Sequence, residues 1–245
     1  MSHTALRRVV IRLLHDASMA DRLARDPDGT LGDVDLSAAE RAWLVAVPPD
    51  AWRTDADRPR RVLAALADEF PAAARLAPAR RDAFFRSPHF HAAVQSRGSL
   101  AGAFGRHLSE DADPAVAAVA RLELAAARVR RAPGRVPASP VGTLRLTPHA
   151  VVVRVAEGAA DLLDAVRAGR APTSLGQTDR PLLVARAAGG DVAIERLEDA
   201  LAMLLERALE AVPAPELERL VVTLGGTSED APGIIAGLRD YGLLV

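Results

Sequence analysis

The sequence contains no cysteine and no lysine, and aromatic residues make up only 3% of its 245 positions. Without cysteine there is no disulfide framework, no Cys-ligated zinc, no iron–sulfur cluster and no thiol nucleophile. Without lysine there is no P-loop lysine, and all 31 basic residues are arginines. The excess of arginine and alanine reads as the codon bias of a GC-rich genome. No apolar run approaches the ~20 residues of a membrane span, and the N-terminus lacks a signal peptide's apolar core and small-residue cleavage site. A cytoplasmic protein that makes no use of the membrane is therefore expected. The net charge of −1 argues against a dedicated nucleic-acid binder.

What is present is the material of a folded core, with 49% apolar and 26% charged residues. The first 131 residues read as a helical domain. Leu6, Val9, Val10, Leu13 and Leu14 form an amphipathic stripe ending near Asp16. Ser37-Ala38-Ala39-Glu40 is a capping box, opening a helix that Pro48-Pro49 closes. A further helix is expected over Asp57 to Leu66, with a break at Pro71 and a short helix after it. Asp113-Pro114 sets a capping side chain before a proline at the first helical position. The long stripe that follows ends in Arg128, Arg130 and Arg131, which suit a helix C-terminus.

Residues 132–140 hold three prolines and a glycine and read as a linker. Residues 141–245 change character. Leu144 and Leu146, divided by Thr147-Pro148-His149 from Val151-Val152-Val153 and Val155, read as a hairpin. Leu182-Leu183-Val184 and Asp191 to Ile194, joined through Gly189-Gly190, read as a second one. Helices are expected over Ala159 to Val166, from Leu197 to Ala208, over Ala214 to Leu220, and around Ile234, Ile235 and Leu238. Gly242 suits a left-handed cap after the last of these. The expected class is α+β, mostly α: a helical domain followed by a small domain with a short antiparallel sheet.

Chemistry is sparse. Phe84-Phe85-Arg86-Ser87-Pro88-His89-Phe90-His91 is the densest candidate, but on a helix His89 and His91 would point about 200° apart. His107, beside Glu110 and Asp111, is a third histidine that nothing places with them, so an aromatic cluster edged by histidines is the favoured reading over a metal site. Gly98-Ser99-Leu100-Ala101-Gly102 misses the nucleophile-elbow pattern, and Gly225-Gly226-Thr227-Ser228 reads as a turn and cap. The carboxylates are scattered over polar faces, giving no support for a catalytic pair. Binding is better represented. Short strands leave edges to which a peptide can add, and Arg145, Arg154, Arg180 and Arg186 flank them, which suits an acidic peptide.

The order of several motifs resembles a known family. Ala65 to Pro71, Phe84-Phe85 with Ser87-Pro88, Gly98 with Phe104 and Leu108, and Val119 to Glu123 resemble a helical domain that carries a DNA-binding label. The same domain forms the N-terminal half of accessory subunits of multinuclear non-heme iron-dependent oxidative enzymes, such as the partner protein of methanobactin biosynthesis. Leu36 to Leu44 and Asp50-Ala51-Trp52-Arg53-Thr54-Asp55 resemble partner proteins of such enzymes in peptide natural-product clusters. The C-terminal stretch, ending Leu238 to Leu244, resembles a RiPP recognition element, the winged-helix-like fold that binds leader peptides. The resemblance implies a heterodimeric, non-catalytic subunit that carries no cofactor of its own. The iron would lie in the partner enzyme subunit, and this chain would bind the leader of a ribosomal precursor peptide. The implied peptide-binding set is Leu182, Leu183, Val184, Arg186, Ile194, Ile234 and Leu238; the implied enzyme-facing set is Arg86, His89 and His91. The alternative is a DNA-binding transcriptional regulator using the winged helix. Against it, residues 228–240 set Glu229, Asp230 and Asp240 beside Arg239 alone, a composition that repels phosphate.

Overall fold

Local capping decides where most helices of the first half begin. The computed structural model describes residues 4–53, 55, 57–136, 139–171, 173–187 and 189–245; Thr54, Pro137 and Ala138, used in the motifs above, lie outside them. Helix α1 (Thr4–His15) stops at Asp16, whose carboxylate accepts from the backbone N–H of Ser18 and Met19 and so starts α2 (Ala17–Arg25). After α3 (Pro27–Leu31), both halves of the capping box form at α4 (Ala38–Ala46): Ser37 Oγ accepts from the Glu40 N–H, and Glu40 accepts from the Ser37 N–H at 2.8 Å. Helices α5 (Asp57–Glu69), α6 (Pro71–Leu76), α7 (Pro78–Asp82), α8 (Pro88–Ser96) and α9 (Leu100–Ser109) follow. Proline at the first position of α6, α7 and α8 costs no helical hydrogen bond, because the N–H it removes has no intrahelical partner.

These helices form one compact unit, Met1–Asp111. It has an aliphatic cluster around Val9, Leu13, Met19, Leu31 and Leu44, and an aromatic cluster. The Phe84 ring meets Phe104 at 5.1 Å, Phe85 at 5.5 Å and Phe90 at 5.6 Å, and Phe70 stacks edge-on against Phe104. The aromatic cluster read from the sequence is thus the centre of this unit.

The second unit, Ala112–Val245, starts earlier than expected. Helix α10 (Pro114–Arg130), which the sequence reading assigned to the N-terminal domain, packs instead on the sheet of the second unit. The reason is its composition: from Val116 to Ala127 every residue but Arg121 is buried, so α10 is a core helix and not an amphipathic cover. The chain continues through β1 (Thr143–Leu144), β2 (Ala150–Ala156), α11 (Ala159–Arg167), β3 (Asp179–Arg186), β4 (Val192–Arg196), α12 (Asp199–Arg207), β5 (Val212–Pro213), α13 (Ala214–Thr223) and α14 (Ala231–Asp240). The fold is α+β, mostly α, with a small antiparallel sheet.

Strand order is β2-β3-β4, antiparallel throughout. Ala150, Val152, Leu183 and Ala185 share one face and join Leu204, Leu205, Leu217, Ile235 and Leu238 in the core formed with α12–α14. The opposite face, with Val151, Val153, Leu182 and Val184, is covered by α10. The hairpin through Gly189-Gly190 is present, with Gly190 at φ 90°. The other expected hairpin is not. Leu144 pairs with Val212 of β5, and Leu146 bridges to Leu244. Both leucines belong to the α12–α14 core, and the chain end folds onto the same core after Gly242 (φ 70°), so they pair where they are buried and not with β2.

A fragment beginning at Ala112 should therefore unfold cooperatively in urea. One beginning at Val141, the expected boundary, lacks α10, bares Val153 and Val184, and should bind a hydrophobic dye without a cooperative transition.

Candidate functional site

The antiparallel ladder decides which backbone groups of the sheet are free. The Ala187 N–H donates to the Asp191 carbonyl at 2.7 Å and the Leu197 N–H to Pro181 at 3.1 Å, which fixes the alternation along β4. Ala193 and Glu195 pair inward with β3, whereas Val192, Ile194 and Arg196 turn their N–H and C=O groups away from it. The same reasoning, from Arg186 N–H to the His149 carbonyl and Glu157 N–H to Thr178, turns Val152, Arg154 and Ala156 of β2 outward. Neither outer edge pairs with another strand among the described residues.

This corrects most of the expected peptide-binding set. Leu182, Leu183 and Val184 lie on the middle strand, are paired on both sides and are 6%, 8% and 0% exposed. An added strand cannot reach them. Their apolar run marks burial on both faces, not an edge. Arg186 is also committed: its Nη2 donates to the carbonyls of Val129 at 3.0 Å and Arg130 at 3.2 Å, capping the C-terminus of α10. Leu238 is a core residue of α14, while Ile234 on the same helix is exposed. Ile194 is the member that lies on a free edge.

Around Ile194 the edge borders a groove of about 350 Å³ lined by Arg130, Arg167, Asp191 and Val192. These residues come from α10, α11, the β3–β4 turn and β4 itself, so only the fold brings them together. Arg130 makes no side-chain hydrogen bond or ion pair among the described residues. Arg167 lies 3.7 Å from Glu123, which is fully buried on α10. Arg130 was legible as part of a helix-end basic cluster; its place beside β4 was not. Of the other flanking arginines, Arg154 is forked between Glu206 and Asp199 of α12, and the hydrogen bond to Glu206 raises its pKa above the ordinary guanidinium value. At the end of the sheet a second pocket, about 290 Å³, sets Arg180 and Arg196 among Glu157, Asp161, Glu198 and Asp199. Its surplus of carboxylates disfavours an acidic ligand there.

The expected enzyme-facing residues lie around the start of α8. Ser87 caps that helix by accepting from the Phe90 N–H at 3.2 Å, and Arg86 before it is exposed. As the helical spacing requires, His89 and His91 diverge. His89 Nε2 meets Glu110 Oε1 at 2.9 Å, with its ring 5.8 Å from that of His107. His91 lies instead near Arg12 and Asp16; burial, and next the charge of Arg12, hold its pKa below the ordinary imidazole value. His107 is buried and donates from Nε2 to the Arg80 carbonyl at 2.9 Å; burial lowers its pKa too. The structure therefore does not bring the three histidines to one centre. Among the described residues no group of three or more His, Cys, Asp or Glu is placed to hold a metal ion. Nor is any helix among them long and apolar enough to cross a membrane.

No protein-family model and no curated protein matches the sequence.

The two depressed histidines predict a pH dependence of stability. The unfolded chain takes up protons near pH 6.5 while folded His91 and His107 resist them, so their contribution is complete above about pH 6.5 and is lost as pH falls toward their lower folded values. The urea midpoint should fall between about pH 7 and pH 5.5, and His107→Gln should flatten that slope.

Proposed function

We propose that this chain is a non-catalytic accessory subunit that captures the leader of a ribosomal precursor peptide as an added strand and docks to a multinuclear non-heme iron oxidative enzyme. The observation that carries the reading is the unpaired outer edge of β4, where Val192, Ile194 and Arg196 present backbone donors and acceptors beside a groove containing Arg130 and Arg167. Backbone pairing gives an extended peptide its affinity, and guanidinium forks favour carboxylates along it. The ordered sequence motifs support the same assignment, and the fold that follows β4, α12–α14 on one sheet face, suits a winged-helix-like peptide reader. Redox chemistry would reside in the partner's iron, and Arg86 with the exposed start of α8 is the proposed face toward that enzyme. The working compartment would be the cytoplasm.

In this reading the precursor is modified at full rate only when this chain is present, and the chain co-purifies with the iron enzyme. Full-rate modification by the enzyme alone would refute the accessory role. Ile194→Pro removes one outward N–H while leaving the β3–β4 ladder intact. It should weaken leader binding by about tenfold or more, with an unchanged circular dichroism spectrum. Steeply salt-dependent binding of duplex DNA, with no affinity for the leader, would favour the regulator instead.

A further inference from the structure

The first unit holds a basic pocket that the peptide reading does not use. It has a volume of about 360 Å³ and lies between α1 and the α8–α9 junction. Arg7 and Arg8 enter it from α1 and Arg97 from the end of α8, over walls that include Ile11, Val94 and Leu100. No carboxylate lines it among the described residues, and none of the three arginines makes an ion pair or side-chain hydrogen bond there. Arg22, Arg53, Arg58, Arg61 and Arg80 of the same unit all face carboxylates.

Two further observations mark these arginines. The Nε of Arg8 is shut off from solvent and has no hydrogen-bond partner among the described residues, a state that disfavours the fold. Arg97 has φ 55°, a left-handed conformation in which glycine carries no penalty and a side chain does. The position is the C-terminal cap of α8, and Gly98 stands next to it, yet the strained position itself carries an arginine. Leu100, the first residue of α9, adds the positive end of a helix to the same wall.

We propose that this pocket binds a small organic phosphate monoester. Three unneutralised guanidiniums match the three oxygens and nearly two negative charges of such a group, whereas a carboxylate offers two oxygens and one charge. The volume suits a small molecule, and Ile11, Val94 and Leu100 offer its organic part an apolar wall.

The test is calorimetric titration of the full chain, in buffer free of phosphate and sulfate, with hexyl phosphate, hexanoate and inorganic phosphate. Hexyl phosphate should bind saturably at one site and more tightly than either other probe. Arg8→Gln and Arg97→Gly should each weaken it by about tenfold or more. Arg97→Gly should also melt at or above the parent's temperature, since it relieves the left-handed strain, so its loss of binding cannot be assigned to unfolding. Absence of saturable binding, equal affinity in both variants and parent, or hexanoate binding as tightly as hexyl phosphate would each overturn the proposal.

Discussion

A three-stranded sheet that is apolar on both faces has to be covered on both, and the packing of α10 against β2 and β3 supplies one of the two covers. The other is the α12–α14 core beneath Ala150, Val152, Leu183 and Ala185. With both faces occupied, the sheet has nothing left to offer a partner but its edges. That constraint links a burial pattern in residues 116–127 to the unpaired edge proposed as the site of an extended peptide. It also explains Arg186, which reaches from the end of β3 to the last carbonyls of α10 and holds the cover in register.

The absence of lysine acquires a structural meaning here. Every cation near the free β4 edge is a guanidinium, which can hold a carboxylate through two parallel hydrogen bonds and not as a point charge. Several arginines are consumed by the fold: Arg154 by α12, Arg186 by α10 and Arg167 partly by the buried Glu123. Arg130, beside that edge, makes no such contact among the described residues. Position in the sequence does not separate the two kinds, because each partner lies on another element.

Features whose cause is local were legible from the residues alone. The Ser37/Glu40 capping box, the Asp113-Pro114 helix start, the Gly189-Gly190 hairpin and the left-handed Gly242 each depend on a few neighbouring residues, and each is present. The divergence of His89 and His91 followed from helical spacing in the same way. Features decided at long range were not legible. The helix from Pro114 looked like the last of a helical domain because its apolar stripe does not say which surface it meets. Leu144 and Leu146 carried a strand pattern but no information on their partners, which lie near positions 212 and 244. Leu182-Leu183-Val184 forms a strand, as its pattern implies, but the central one and not an edge: a continuous apolar run signals burial on both faces, while the half-buried Ile194 lies on the shorter outer strand.

The central claim is that β4 carries the working edge. Amide hydrogen exchange of the full chain, resolved by residue, tests it when an acidic leader-like peptide is added. Slowed exchange at Val192, Ile194 and Arg196, with Val152, Arg154 and Ala156 of β2 unchanged, is the predicted result. Protection at β2 alone, or at neither edge under saturating peptide, would contradict the account.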